Sequence, residues 1–300
     1  MKTLNDVLAL AGKIGPKRVA VAQAEDLEVL LALEQARKER MVEVILVGRR
    51  EKIENLAQSN SIDVGNLDIR EEANGYVASL KCCELVNLGE ADLVMKGLVG
   101  TASFMKAILN KEEGLGTGRL LSHVAAFEIP SYPKLLMITD AAINISPSLT
   151  DKVQIVQNAV DLAHSLGIQK PNVACIAAVE KVYPDKMPAT LDAACLSMMS
   201  RRGQITGAAV DGPFGFDNAV SAESARIKGV KSEMPGNVDI LLCPSIETGN
   251  AIYKTLMEFG GAKCAAVVLG TKVPVVLTSR ADSHQTKFAS IALGVAGCQR

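Results

Sequence analysis

Residues 18–47, RVAVAQAEDLEVLLALEQARKERMVEVILV, decide the fold. RVAVA (18–22) and VILV (44–47) are short, unbroken apolar runs, the composition of strands buried on both faces. Between them, EDLEVLLALEQARKER (25–40) places Leu27, Leu30 and Leu31 at i, i+3 and i+4, with Leu33 three residues past Leu30, which is a helical period. Buried strands separated by a helix imply parallel pairing with helices on the sheet faces.

The rhythm continues outward from this stretch. A helix precedes it and ends near Gly15-Pro16; after it come a helix over 49–59, a strand over 67–70, a helix over 73–88 and a strand over 92–95 (DLVM). Residues 110–133 interrupt the cycle with three glycines and two prolines around the 124–129 run, which predicts a hairpin or an irregular loop. A strand at 135–138 opens a second series: helix 150–166, strand 172–178, helix 188–199, strand 207–210, helix 218–228, strand 238–242 and helix 248–258. Strands at 265–269 and 275–277 and a final helix to about 296 complete it. This is a doubly wound α/β pattern. No tandem repeat or low-complexity tract divides it, and the break at Pro147 is the internal sign of a domain boundary.

At 300 residues the chain is about twice the usual single-domain length, so two lobes or one large α/β unit are expected. Apolar residues make up 48% and charged residues 22%, the proportions of an ordinary globular protein with a sizeable core. Lys and Arg (32) balance Asp and Glu (33), which argues against a surface built for nucleic acid while leaving room for a local basic pocket. Seven cysteines without a C-x-x-C pair read as reduced, buried thiols, neither a zinc knuckle nor a disulfide framework. Asp6 and Lys13 break the N-terminal apolar stretch, and no uncharged run reaches membrane-spanning length, so a cytosolic protein without membrane attachment is expected. His123, His164 and His284 are scattered and no G-x-S-x-G elbow or full dinucleotide fingerprint occurs, which disfavours a metal site, a serine hydrolase and a dinucleotide-dependent enzyme.

In an open parallel sheet, ligands collect where strand C-termini feed loops and helix N-termini. Six loops therefore carry the candidates. KGLVGTASFMKAIL puts Lys96 at a strand exit, Gly97 and Gly100 where backbone can approach a ligand, and the hydroxyls of Thr101 and Ser103 at a helix start. That set suits a phosphate or carboxylate; it equally describes a glycine turn with Thr101 as an N-cap. TDAAINISPSL offers Asp140 and Asn144 after a strand, for a ligand or for a turn. Glu180 and Lys181, in the loop after strand 172–178, read as solvated charges. VDGPFGFDNAVS has Asp211 at a strand end, and PSIETGNAIYKTL has a helix beginning near Gly249 and Asn250 with Lys254 one turn on. VVLTSRADS sets Ser279, Arg280 and Asp282 directly after a buried strand: a planar donor fork for phosphate beside groups able to bind or move a proton, or a surface Arg beside a capping Asp.

Taken together, in this order and spacing, KGLVGTASFMKAIL, TDAAINISPSL, VDGPFGFDNAVS, GNVDILLCPSIETGNAIYK and VLTSRADS resemble the phosphate acetyltransferase/butyryltransferase family, specifically its phosphate butyryltransferase branch, over almost the entire chain. The resemblance implies two α/β/α domains with mainly parallel sheets, similar to isocitrate and isopropylmalate dehydrogenases, with the active site in the cleft between lobes. It implies that the last helix returns to the first lobe, giving domains 1–138 plus 279–300 and 139–278. The implied reaction interconverts short-chain acyl-CoA, butyryl-CoA favoured, and phosphate with acyl phosphate and CoA, by direct thiolate attack on the acyl phosphate in a ternary complex. No metal and no tightly bound cofactor are implied; coenzyme A is substrate and product.

By the same resemblance, Arg280 binds the phosphoryl group, Ser279 stabilises charge at the reacting centre and a nearby carboxylate takes the thiol proton. In acetyl-specific members the base stands several residues beyond the Ser-Arg pair, where this chain has about Thr286, so Asp282 is the nearest carboxylate and Asp140 the second candidate. Those members carry Arg near the position of Lys106, which makes a phosphate contact there monodentate in this chain. Lys96, Gly100, Thr101, Ser103, Lys106, Asp140, Asn144, Asp211, Gly249, Asn250 and Lys254 are the expected substrate-binding set. A homo-oligomer and metabolic pairing with an acyl kinase such as butyrate kinase are implied as well. Butyrate exceeds acetate by two methylenes, worth about 0.8 kcal/mol each on burial, so chain-length preference should be graded. Acetyl transfer, an acyl-phosphate-forming component of a reductase complex, a decarboxylating dehydrogenase with metal and NAD, and a non-catalytic CoA-binding protein are the rival readings.

Overall fold

A computed structural model describes residues 1–298 of the chain. These residues form two compact units: the first is Asn5–Arg119 together with Ala265 to the end of the described chain, the second Leu120–Cys264 together with Met1–Leu4. Each is a mixed α/β unit with a mostly parallel sheet.

In chain order the first part comprises α1 (Leu4–Ile14), β1 (Lys17–Ala22), α2 (Leu27–Lys38), β2 (Val42–Gly48), α3 (Arg50–Ser59), β3 (Asp68–Glu71), α4 (Gly75–Asn87), β4 (Leu93–Lys96) and α5 (Thr101–Ile108). Then come β5 (Ser122–Glu128), β6 (Leu136–Thr139), α6 (Leu149–Ser165), β7 (Asn172–Ile176), α7 (Pro188–Arg201), β8 (Ala209–Phe214), α8 (Phe216–Val220), α9 (Ala222–Ile227), β9 (Ile240–Leu242), α10 (Ile246–Glu258) and β10 (Lys263–Leu269). β11 (Val275–Val276) and α11 (His284–Gly297) return to the first unit.

The sheet of the first unit runs β3-β2-β1-β4-β11-β10. All neighbours are parallel except β10 and β11. The chain leaves β1 toward β2 and β3 on one side and comes back to β4 on the other, so order reverses between β1 and β4, where such sheets open a crevice at the strand C-termini. Because β11 runs parallel to β4, residues 278–280 emerge at the same edge as residues 97–100. The helices fit the local chemistry. Asp26 caps α2, accepting from Val29 N–H at 3.0 Å, and Val29, Leu30, Leu33 and Ala36 form its buried face. α11 is buried from Lys287 to Gly297 and packs on α2, β4 and β11, as its nearly continuous apolar sequence requires.

The second unit's sheet runs β5-β6-β9-β7-β8, antiparallel between β5 and β6 and parallel elsewhere. A Ser148/Asp151 capping box starts α6, which lies on β5, β6 and β9.

Several sequence expectations need correction. Pairing is mainly parallel, as expected; β5/β6 and β10/β11 are antiparallel because residues 129–135 and 270–274 are too short for a crossover, which takes a dozen or more residues. The helix expected over 218–228 is two helices, broken at Ser221, whose Oγ caps α9 by accepting from Ser224 N–H at 3.2 Å. β8 extends through Pro213, so Asp211 lies inside a strand rather than at its end. α10 starts at Ile246, ahead of Gly249 and Asn250. The two compact units exchange chain at 119/120 and 264/265. β5 stays with β6 and α6, and β11 with β4 and α11, because strands remain with the partners that bond and cover them.

Candidate active site

The crevice edge of the first unit gathers residues from three strand exits. Lys96 ends β4, is 3% exposed, and turns its ammonium onto the carbonyls of Gly97 (3.0 Å) and Val99 (3.3 Å). Gly97 is required here: its N–H donates to Ala22 O at 2.9 Å, and a Cβ would overlap the Gln23 carbonyl and lie 2.8 Å from that of Ala22. The chain then enters α5 at Gly100, the N-cap, which contributes no side-chain cap. Thr101 is therefore the first helical residue and not the N-cap, and the hydroxyls of Thr101 and Ser103 stand in solvent beside the uncapped N–H groups.

From the third strand exit, Arg280 Nη2 comes within 3.7 Å of where a Gly100 Cβ would sit. Arg280 is exposed and its guanidinium makes no hydrogen bond or ion pair among the described residues. A guanidinium beside a helix N-terminus meets the positive end of the dipole, and a buried ammonium stands close by. Burial holds the Lys96 pKa below its usual value, with Arg280 and then Lys287 pressing it in the same direction against the pull of Asp26 and Asp282. This concentration of positive potential is suited to an anion with several oxygens.

The turn that carries Arg280 is closed on itself. Asp282 Oδ2 accepts from Ser279 N–H at 2.7 Å, Ser279 O accepts from Asp282 N–H at 3.2 Å, and Ser279 Oγ accepts from Ala281 N–H at 3.3 Å. Lys287, which the sequence reading did not select, donates to the carbonyls of Ser279 (3.2 Å) and Asp282 (2.5 Å). The available signal was a lysine among the apolar residues of α11. Lys106 is exposed and lies over the Tyr76 ring, 5.4 Å from its centroid.

A second cluster lies at the strand exits of the second unit. Asp140 is 2% exposed and takes five donors: Ala142 N–H (2.8 Å) and Ile143 N–H (3.0 Å) on Oδ1, and His123 N–H (3.2 Å), Asn144 N–H (3.3 Å) and Asn144 Nδ2 (2.6 Å) on Oδ2. A carboxylate offers about four acceptor sites, so Asp140 is saturated by the turn it organises. Asn144 Nδ2 also donates to Leu121 O at 2.8 Å. α10 packs against this turn through Gly249, where a Cβ would overlap the Asp140 carbonyl, and through Asn250, which donates to Ala141 O at 3.3 Å. Lys254 is exposed, over the Tyr253 ring at 5.5 Å. Asp211 stands apart from this cluster in its bonding, accepting from Ser197 and Ser232 hydroxyls (3.1 and 2.8 Å) and Gly212 N–H (2.9 Å).

Among the described residues, no group of three or more His, Cys, Asp and Glu side chains is arranged to hold a metal ion. No described helix is long and apolar enough to cross a membrane. Cys83, Cys175 and Cys243 are pushed up to about 12, first by burial.

Comparison with known proteins gives concordant findings. Residues 70–295 match the phosphate acetyl/butaryl transferase family. The chain is 50% identical over 293 residues to the phosphate butyryltransferase of Clostridium acetobutylicum, covering 98% of this chain and 97% of that protein. It is 44% identical over 280 residues to the phosphate acetyltransferase of Thermotoga maritima, covering 92% and 94%. Its structure is similar to that of a branched-chain phosphotransacylase from Enterococcus faecalis V583, with a TM-score of 0.83, 32% identity, and coverage of 95% of this chain and 99% of that one.

Proposed function

The chain belongs to the phosphate acetyl/butaryl transferase family, and from that premise we propose that it is a phosphate acyltransferase that favours butyryl-CoA, with phosphate held by Arg280. As an enzyme of this family it interconverts acyl-CoA and inorganic phosphate with acyl phosphate and CoA. The observation that carries the site is the unpaired Arg280 guanidinium near Gly100, beside the uncapped start of α5 and the buried Lys96.

In the acyl phosphate-forming direction, a phosphate oxygen attacks the thioester carbonyl, the C–O bond forms, the C–S bond breaks, and CoA leaves as thiolate to be protonated. In reverse, a carboxylate takes the thiol proton, sulfur attacks the acyl carbonyl and phosphate departs. The planar donor fork of Arg280 can grip phosphate as nucleophile and as leaving group alike. Ser279 presents its hydroxyl to the developing oxyanion. Asp282 is the proposed base; the saturated Asp140 keeps its turn and, through Gly249 and Asn250, α10 in place. In this reading, transfer between CoA and phosphate is direct, in a ternary complex.

Thr101, Ser103, Lys106, Asn144, Asp211 and Lys254 complete the proposed substrate-binding set. The same reading takes the protein to be a cytosolic homo-oligomer without a tightly bound cofactor, its acyl phosphate passed to an acyl kinase such as butyrate kinase. Preference for butyryl over acetyl follows the 50% identical relative.

The test is free-thiol release from butyryl-CoA, with acetyl-CoA in parallel, in the presence and absence of phosphate. Phosphate-dependent release, faster with butyryl-CoA, is expected. Equal release with and without phosphate would indicate a thioesterase, and binding of CoA without release a non-catalytic protein.

A further inference from the structure

Lys287 occupies the fourth position of α11, at the start of its buried run, and is itself only 2% exposed. It forms no ion pair among the described residues; its ammonium bonds to two main-chain carbonyls, Ser279 O and Asp282 O. Burying a cation with neutral partners alone is expensive, and an apolar side chain would serve the helix better. The cost points to a use outside the helix.

The two carbonyls flank Arg280. With Asp282 Oδ2 on the Ser279 N–H, the ammonium closes residues 279–282 from the inside and leaves Arg280 and Ala281 as the exposed tip of the turn. An ammonium has three donors and Lys287 uses two on the protein. Its charge also reaches Lys96, beneath the same edge.

We propose that Lys287 is a positioning residue for the phosphate step: its clamp on the Ser279 and Asp282 carbonyls holds the Arg280 guanidinium at the N-terminus of α5, and its uncompensated charge is balanced when phosphate binds. The inference rests on the reading of residues 96–103 and 279–282 as the phosphate site. It assigns Lys287 no contact with the reacting atoms. A residue that merely stabilised α11 would raise both KM values alike, whereas one that sets Arg280 raises the phosphate KM and leaves that of butyryl-CoA in place, whatever happens to kcat.

The experiment measures initial rates at varied phosphate and at varied butyryl-CoA for the wild-type protein, Lys287→Met, Lys287→Arg and Arg280→Ala, with circular dichroism and melting curves on each. Lys287→Met is expected to raise the phosphate KM at least about tenfold and leave the butyryl-CoA KM within about twofold, with Lys287→Arg recovering part of the loss because it restores the charge and donors. A folded Lys287→Met protein with unchanged phosphate KM, or with both KM values raised equally, overturns the proposal. Should Lys287→Met fail to fold, Lys287→Gln, which keeps a donor without the charge, undergoes the same measurement with the same deciding outcomes. If Arg280→Ala raises the phosphate KM and Lys287→Met does not, the positioning role fails while the phosphate site stands; if neither raises it, the phosphate site itself has been misassigned.

Discussion

At residue 96, stability and chemistry pull in opposite directions. Lys96 is buried with only carbonyl partners, and burial, Arg280 and Lys287 together lower its pKa from the ordinary 10.5. Below the folded-state value both folded and unfolded chains carry the proton, and the folded chain bears the whole cost of the buried charge. As pH rises through the folded-state value toward 10.5, the folded side chain sheds its proton first and the contribution of this group to stability increases. Lys96→Met should therefore melt no lower than the wild type at pH 7 while losing at least about tenfold in kcat/KM for phosphate. A lower melting temperature with unchanged phosphate kinetics would show that the lysine serves the fold. The placement of Lys96 and Arg280 at strand exits was legible in the sequence, because Lys96 directly follows the apolar run 93–95 and Arg280 follows 275–277 with only Thr278 and Ser279 between. The clamp of Lys287 and the saturation of Asp140 were not, since both of the partners of Lys287 and four of the five donors to Asp140 are main-chain groups whose placement no spacing reveals.

At the scale of elements, the strand and helix order was readable nearly throughout, because buried parallel strands and amphipathic helices differ so sharply in period. Some of the departures share one cause: turn geometry overrode local composition. Short connections made β5/β6 and β10/β11 antiparallel, and Ser221 ended one helix and capped the next. Helix α10 shows how an element is held. Its buried Gly249 lets it approach the turn after β6, and its Asn250 ties it there. Gly249→Ala should destabilise the protein by about 1–3 kcal/mol through overpacking against residues 140–141, read as a lowered denaturation midpoint at unchanged m-value. An unchanged midpoint would mean that α10 is free to shift and that Gly249 does not anchor it.

At the scale of the molecule, the family was legible in the sequence, and the compact units exchange chain at 119/120 and 264/265. Loop motifs do not reveal which sheet a strand between them joins; hydrogen-bond partners decide that. What unites loops nearly two hundred residues apart in the chain is the parallel course of β4 and β11, which brings residues 97–100 and 278–280 to one edge. The central claim is that this edge binds phosphate through Arg280. Its most direct test is the phosphate dependence of the Arg280→Ala protein. A folded variant is predicted to lose at least about a hundredfold in kcat/KM for phosphate, roughly 2.7 kcal/mol; phosphate kinetics equal to those of the wild type would contradict the account.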